Sequence, residues 1–265
     1  MITITKETAK TVTLELRDKA MPLAKFISAI TPPKLDYVLP NGVKMVVQHG
    51  KGFMVVYEIP PGAHSLKWQE RIEHKGEDDS FAYKKRHLAL PYVILLVPFY
   101  FDGYGILVPH TSAIECYYRN KPLSDPDDEL FYPALLNCGL WPNHSVELPS
   151  WICMSRLMLG TKLDGQDNAR RLWITIGAVR NHFFGATFNW EWAHQWMDYC
   201  KWEHADKRIT NIDRWEQESK KDPSFILKVK WMPAIRNLRQ TIDHTLTGLF
   251  PHIPRVLQNI IINHK

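Results

Sequence analysis

The stretch that decides the fold runs from Leu35 to Glu58 and reads LDYVLPNGVKMVVQHGKGFMVVYE. Leu35–Leu39 and Val43–Gln48 are apolar runs joined by Pro40-Asn41-Gly42. Asn-Gly supplies the positive φ angles of a tight hairpin turn, so the pair predicts antiparallel strands. A second glycine turn, Gly50-Lys51-Gly52, leads into Phe53–Glu58. Three strands with short connections predict an antiparallel meander.

Working outward, Ile2–Leu16 is rich in Thr and Val and alternates from Thr11 to Leu16, which predicts one or two further strands. Pro60-Pro61-Gly62 ends the meander, and Gly76–Ser80 reads as a charged loop. Ala89–Phe101 is the most apolar run of the chain and reads as one central strand. Asp102-Gly103-Tyr104-Gly105 turns the chain, and Ile106–Val108 and Ala113–Tyr118 continue the sheet. Leu130–Trp151 carries Pro133, Pro142 and Pro149, so it is neither a long helix nor an inner strand. It reads as an irregular crossing segment.

The pattern changes after Gly160. Asp167 is placed to cap a helix with Leu172, Ile176, Val179 and Phe183 on one face and Gly185 at its end. Trp192, Trp196 and Tyr199 predict a second helix, Ile212–Lys220 a third and Ile235–Leu249 a last one, with Phe225–Val229 as a strand. The fold class is therefore α+β: an antiparallel β-meander, an irregular crossing segment, then packed helices. The expected organisation is an N-terminal strand extension over 1–34, an α+β core over 35–205, and a C-terminal strand and helix extension over 206–265 packed on that core.

Charge and composition narrow the function classes. The formal charge is +5, but cations interleave with acids in Lys67–Lys75, Lys201–Arg208 and Asp213–Lys221. That pattern is solvated surface and not a nucleic-acid stripe, so nucleic acid is not an expected partner. Ten Trp imply a well-filled core or an apolar contact surface. The longest apolar run is too short and too proline-broken to cross a bilayer, so no membrane association is expected. The four cysteines, Cys116, Cys138, Cys153 and Cys200, form no CxxC pair, and no cleavable signal is read at Met1–Lys10. A cytoplasmic chain with free thiols is expected. The spacing around His194, Cys200 and His204 lacks the tight pairing of a zinc site, and no metal or cofactor is expected.

Cys153 is the first candidate for chemistry. It lies in Trp151-Ile152-Cys153-Met154-Ser155, between the proline-rich segment and the helices. A thiol there is either a nucleophile with a depressed pKa or a small hydrophobe packed between Trp151 and Leu157. Upstream lie Asn137, whose amide can donate to an oxyanion, and His144, which can move a proton near neutral pH. Both residue types also serve turns and loop surfaces.

The order of parts resembles the ubiquitin-conjugating-enzyme fold, in particular divergent prokaryotic relatives such as protein B of the PRTRC plasmid systems. The resemblance covers Leu35–Asn189. It is carried by Leu90-Pro91-Tyr92-Val93-Ile94-Leu95, Leu130-Phe131-Tyr132-Pro133-Ala134-Leu135-Leu136-Asn137, Trp151-Ile152-Cys153-Met154 and Phe183-Phe184-Gly185-Ala186-Thr187-Phe188-Asn189. It implies that Cys153 is the thioester-forming cysteine and that Tyr132 to Asn137 is similar to the family's His-Pro-Asn region. Implied partners are a ubiquitin-like or sulfur-carrier modifier and a ThiF-like activating enzyme. Tyr132 stands in the place of the family's histidine, Pro133 and Asn137 are not adjacent, and Leu140–Pro149 lengthens the path to the cysteine. The alternative expectation is a non-catalytic assembly component of a plasmid, phage or virion, on the same scaffold with other subunits as partners.

Overall fold

The structure is a computed structural model that describes residues 2–8, 11–16, 19–22, 39–49, 52–70, 82–139, 150–154, 157, 159–190 and 193–250. Strands β1 (Ile2–Thr8), β2 (Thr11–Leu16) and β3 (Lys19–Pro22) form an antiparallel three-stranded sheet of their own. Of the expected meander, Leu35–Val38 lies outside the described residues. The other two strands form as β4 (Val43–His49) and β5 (Gly52–Ile59), with Gly42 at φ 94°.

Three prolines divide the next hairpin between two sheets. β5 continues into β6 (Gly62–Gln69), which pairs with β7 (Tyr83–Leu90), and β7 runs on into β8 (Tyr92–Phe101). Ile59 faces Val93 and Gly62 faces Leu90, so one register runs the whole length of this hairpin. Pro60, Pro61 and Pro91 meet where the register crosses between sheets. None can donate a ladder hydrogen bond, so the hairpin breaks there and its outer half joins a different sheet. Ala89–Phe101 is accordingly two strands in two sheets, not the single strand that its unbroken apolar character suggested.

The main sheet adds β9 (Leu107–Pro109), β10 (Glu115–Arg119), β11 (Cys138–Gly139) and β12 (Trp151–Ile152), in the order β11-β12-β10-β8-β5-β4 with β9 beside β8. Every residue of β5 is buried. Its alternate residues feed two cores, Phe53, Val55 and Tyr57 on one face, Met54 and Val56 on the other. A strand covered on both faces reads as a continuous hydrophobic run.

Helices provide the covers. α1 (Gly160–Leu163) is a single turn, and α2 (Asn168–Gly185) is capped by the Asp167 carboxylate, which accepts from Arg170 N–H at 2.7 Å. Leu172, Ile176, Val179 and Phe183 of α2 are buried, and β13 (Thr187–Phe188) then pairs in parallel with β6. α3 (His194–Lys201) and α4 (Ile212–Lys221) pack on the same side, and α5 (Leu238–Leu249) covers the opposite face through Leu238, Ile242 and Leu246. Phe225–Val229 is not a strand. Residues Pro223–Lys228 form a 3-10 turn whose N-terminus is capped by Asp222, with Phe225 and Ile226 buried. The architecture is α+β.

Four tryptophans, Trp68, Trp196, Trp215 and Trp231, pack together in the larger core. Trp68 meets Trp196 edge-on at 5.1 Å, Trp196 stacks on Trp215 at 6.0 Å, and Trp231 adjoins Trp215 at 6.3 Å. A buried guanidinium fixes α4: Arg86 of β7 bonds Glu70 at 2.7 Å, Asp213 at 2.6 Å and Glu216 at 3.0 Å. Among the described residues, no helix is long and apolar enough to cross a membrane.

Candidate functional site

The end of the main sheet brings the candidate residues together. β11 and β12 form a short antiparallel ladder in which Cys138 faces Ile152 and Gly139 faces Trp151. The next bond of that ladder runs from Cys153 N–H to the Asn137 carbonyl at 3.0 Å. Asn137 and Cys153 therefore stand opposite each other, and opposed residues of an antiparallel pair project to the same side. Sixteen positions apart in sequence, they are neighbours because β12 returns along β11.

The two side chains differ in exposure. Cys153 is half-buried, with access to solvent, whereas Asn137 is only 1% exposed. The Asn137 Oδ1 accepts from the Cys138 thiol at 3.4 Å, which fixes the amide. Among the described residues, Asn137 Nδ2 meets no hydrogen-bond partner. A buried donor left without an acceptor costs about 1–3 kcal/mol, so its retention calls for an explanation.

His182, in the last turn of α2, reaches the same place from the helical layer. Burial lowers its pKa, and a hydrogen bond to the Cys153 backbone carbonyl partly opposes that effect. The ring therefore sits neutral at pH 7 and holds the backbone of Cys153 without adding charge. Sequence reading missed His182. Its only signal was a histidine on a predicted helix, with nothing local to tie it to Cys153. His144 lies outside the described residues.

The remaining cysteines have other surroundings. Cys116 and Cys138 are fully buried and hydrogen-bonded to each other, and burial pushes the Cys116 thiol well above its usual range. Cys200 is half-buried, its thiol pushed up to about 11 by desolvation. Among the described residues, no group of three His, Cys, Asp or Glu side chains is disposed to hold a metal ion.

Beside this ladder lies a buried polar chain. Ser150 immediately precedes β12. Its N–H donates to the Tyr117 hydroxyl at 3.2 Å, and its Oγ donates to Gln195 Oε1 at 3.0 Å. Tyr117 in turn donates to Glu115 at 2.6 Å, and Thr245 of α5 donates to the other Glu115 oxygen. Glu115 is fully buried, and desolvation raises its pKa to about 7 despite those two bonds. The chain fixes the entry of β12, and hence of Cys153, to both helical layers. No protein-family model matches this chain, and no curated protein or solved structure gives a significant match.

Proposed function

We propose that the chain is a protein-conjugation scaffold that carries a ubiquitin-like or sulfur-carrier modifier as a thioester on Cys153. The observation that carries this reading is the Cys153 N–H to Asn137 carbonyl bond of 3.0 Å. It sets a partly exposed thiol opposite a buried amide whose Nδ2, among the described residues, has an unmet hydrogen bond. That arrangement suits acyl transfer, in which a thiolate attacks a carbonyl and a fixed donor stabilises the resulting oxyanion.

In the proposed reaction the Cys153 thiolate adds to the C-terminal acyl carbon of an activated modifier. A new C–S bond forms, and the activating thiolate or phosphate leaves with the bonding pair. An acceptor amine then attacks the thioester and gives up a proton, and Cys153 is released. Asn137 Nδ2 is the donor for the oxyanion in both steps. His182 is a positioning residue that holds the Cys153 backbone. The resemblance of the segment to ubiquitin-conjugating enzymes supports the same roles for Cys153 and Asn137.

The test uses the full chain and a peptide ending in Gly-Gly as its C-terminal thioester. The expected result is a hydroxylamine-labile adduct mapped to Cys153, absent in Cys153→Ser, with transfer to added amine slowed at least ~10-fold in Asn137→Ala. No adduct, or equal labelling of Cys200, overturns the reading. A second reading, a non-catalytic assembly component, is favoured by the turn after β8, where Tyr104 is 91% and Ile106 41% exposed. Loss of self-association in Tyr104→Ser, with no thioester on Cys153, selects it.

A further inference from the structure

Strand β8 has an apolar knob at one end and an apolar cavity near the other. After Phe101 the chain turns at Asp102-Gly103-Tyr104-Gly105, and the turn is held at several points. The Asp102 carboxylate accepts from the N–H of Tyr104 at 2.8 Å and of Ile106 at 2.9 Å. Asn168 of α2 clamps the turn from the side, donating to the Gly105 carbonyl at 2.9 Å and accepting from Leu107 N–H at 2.8 Å. On this frame Tyr104 stands almost wholly in solvent, with Ile106 exposed beside it. Backbone already fixed has little freedom left to lose on binding, and an aromatic side chain held out on it suits an interface anchor.

The cavity, of about 230 Å³, is lined by Tyr132, Tyr199, Met232, Pro233 and Ile235, with Ile235 exposed at its rim. An apolar cavity of about 150 Å³ already holds a benzene ring, so this one has room for a tyrosine ring. Its position follows from the ladder. Tyr132 adjoins Phe131, which bridges to Tyr118 of β10, and Tyr118 faces Val93 near the start of β8. From Val93 to Phe101 the extended chain spans roughly 25 Å, which sets knob and cavity well apart. Free charges of opposite sign accompany them. Arg170, two residues along α2 from Asn168, is exposed, and Asp198 is exposed beside the cavity. Neither forms an ion pair among the described residues. The cation near the knob and the carboxylate at the cavity are complementary between two copies of the chain.

We infer that the Tyr104–Ile106 turn of one copy seats in the Tyr132–Ile235 cavity of a second copy, with Arg170 facing Asp198 across the contact. Because knob and cavity are different surfaces, the contact is heterologous. Each new copy brings a free knob or a free cavity, so association continues as a filament or closes as a ring. Tyr104 enters for the apolar area of its ring, and its hydroxyl is given no partner. The inference rests on the assembly reading, to which it adds the receiving surface, and Cys153 has no part in it.

The test is sedimentation velocity in reducing buffer over a concentration series, using exposed positions so that both cores stay intact. The unaltered chain should form species beyond the monomer. Tyr104→Ser and Ile235→Glu should each weaken self-association at least ~10-fold, the size of an anchor residue, whereas Tyr104→Phe should match the unaltered chain. Mixing the Tyr104→Ser and Ile235→Glu chains leaves one sound knob and one sound cavity on different chains. That mixture should give a one-to-one heterodimer that grows no further. Arg170→Asp and Asp198→Arg should each weaken association, and the two together in one chain should restore it. A chain that stays monomeric at millimolar concentration overturns the inference and the assembly reading together. Self-association that Ile235→Glu leaves unchanged, or a mixture without heterodimer, overturns the inference alone.

Discussion

Glu115→Gln should flatten the alkaline limb of the stability profile. The Glu115 carboxyl is fully buried among Tyr117, Thr245 and the charge of Arg236, and its pKa stands at about 7 against an ordinary 4.5. Between those values the native chain keeps a proton that the unfolded chain has released. The native state then binds more protons, so stability falls as pH rises through that window. The contribution is fully present below 4.5 and lost above 7. From pH 5 to pH 8 the two pKa values give a loss of about 2.5 kcal/mol, at 1.36 kcal/mol per unit. Gln keeps the shape, accepts from Thr245 and faces the Tyr117 oxygen with its amide, yet carries no titrating proton. Urea unfolding at both pH values measures the difference. The two proteins should be about equally stable at pH 5, with the wild type about 2.5 kcal/mol below the variant at pH 8. Parallel profiles, or a wild type that gains on the variant as pH rises, would refute the reasoning.

Two further outcomes rest on packing. Arg86→Met removes the cation shared by Glu70, Asp213 and Glu216 and leaves Glu216 with a 12%-exposed side chain beside an apolar group; chemical denaturation should show a loss of about 3 kcal/mol, relieved on acidification. A Cβ on Gly52 would lie 2.2 Å from the Phe250 ring, so Gly52→Ala should lose about 1–3 kcal/mol. Adding Phe250→Ala should restore part of that loss, a non-additivity that thermal unfolding can read.

The parts of the fold legible in the sequence were those set by local chemistry. Pro40-Asn41-Gly42 gave the turn that opens β4, with Gly42 at φ 94°, and Asp167 with the spacing Leu172, Ile176, Val179, Phe183 gave α2 nearly to the residue. Reading failed where distant partners decide. Ala89–Phe101 has no periodicity because β8 is buried on both faces, so nothing on either side of Pro91 signalled a change of sheet. Phe225, Leu227 and Val229 alternate like a strand, but Pro223 at the start of the segment and the Asp222 cap set a 3-10 turn that buries Phe225, Ile226 and Val229 instead. At the candidate site, Asn137 and Cys153 were readable as residue types of the right chemistry. Their pairing depends on a return strand ten residues or more away. His182, Gln195 and Glu115 enter only through contacts between helices and sheet that no local pattern encodes.

Competitive alkylation of the native chain, read by peptide mapping, tests the role of Cys153 most directly. Cys200 is the internal control, since it is also half-buried but has its thiol held up at about 11. At pH 7.5 with iodoacetamide, Cys153 should label first, Cys200 much more slowly, and the buried Cys116 and Cys138 only after denaturant is added. A Cys153 that reacts no faster than Cys200, or that needs denaturant as Cys116 does, would contradict the account.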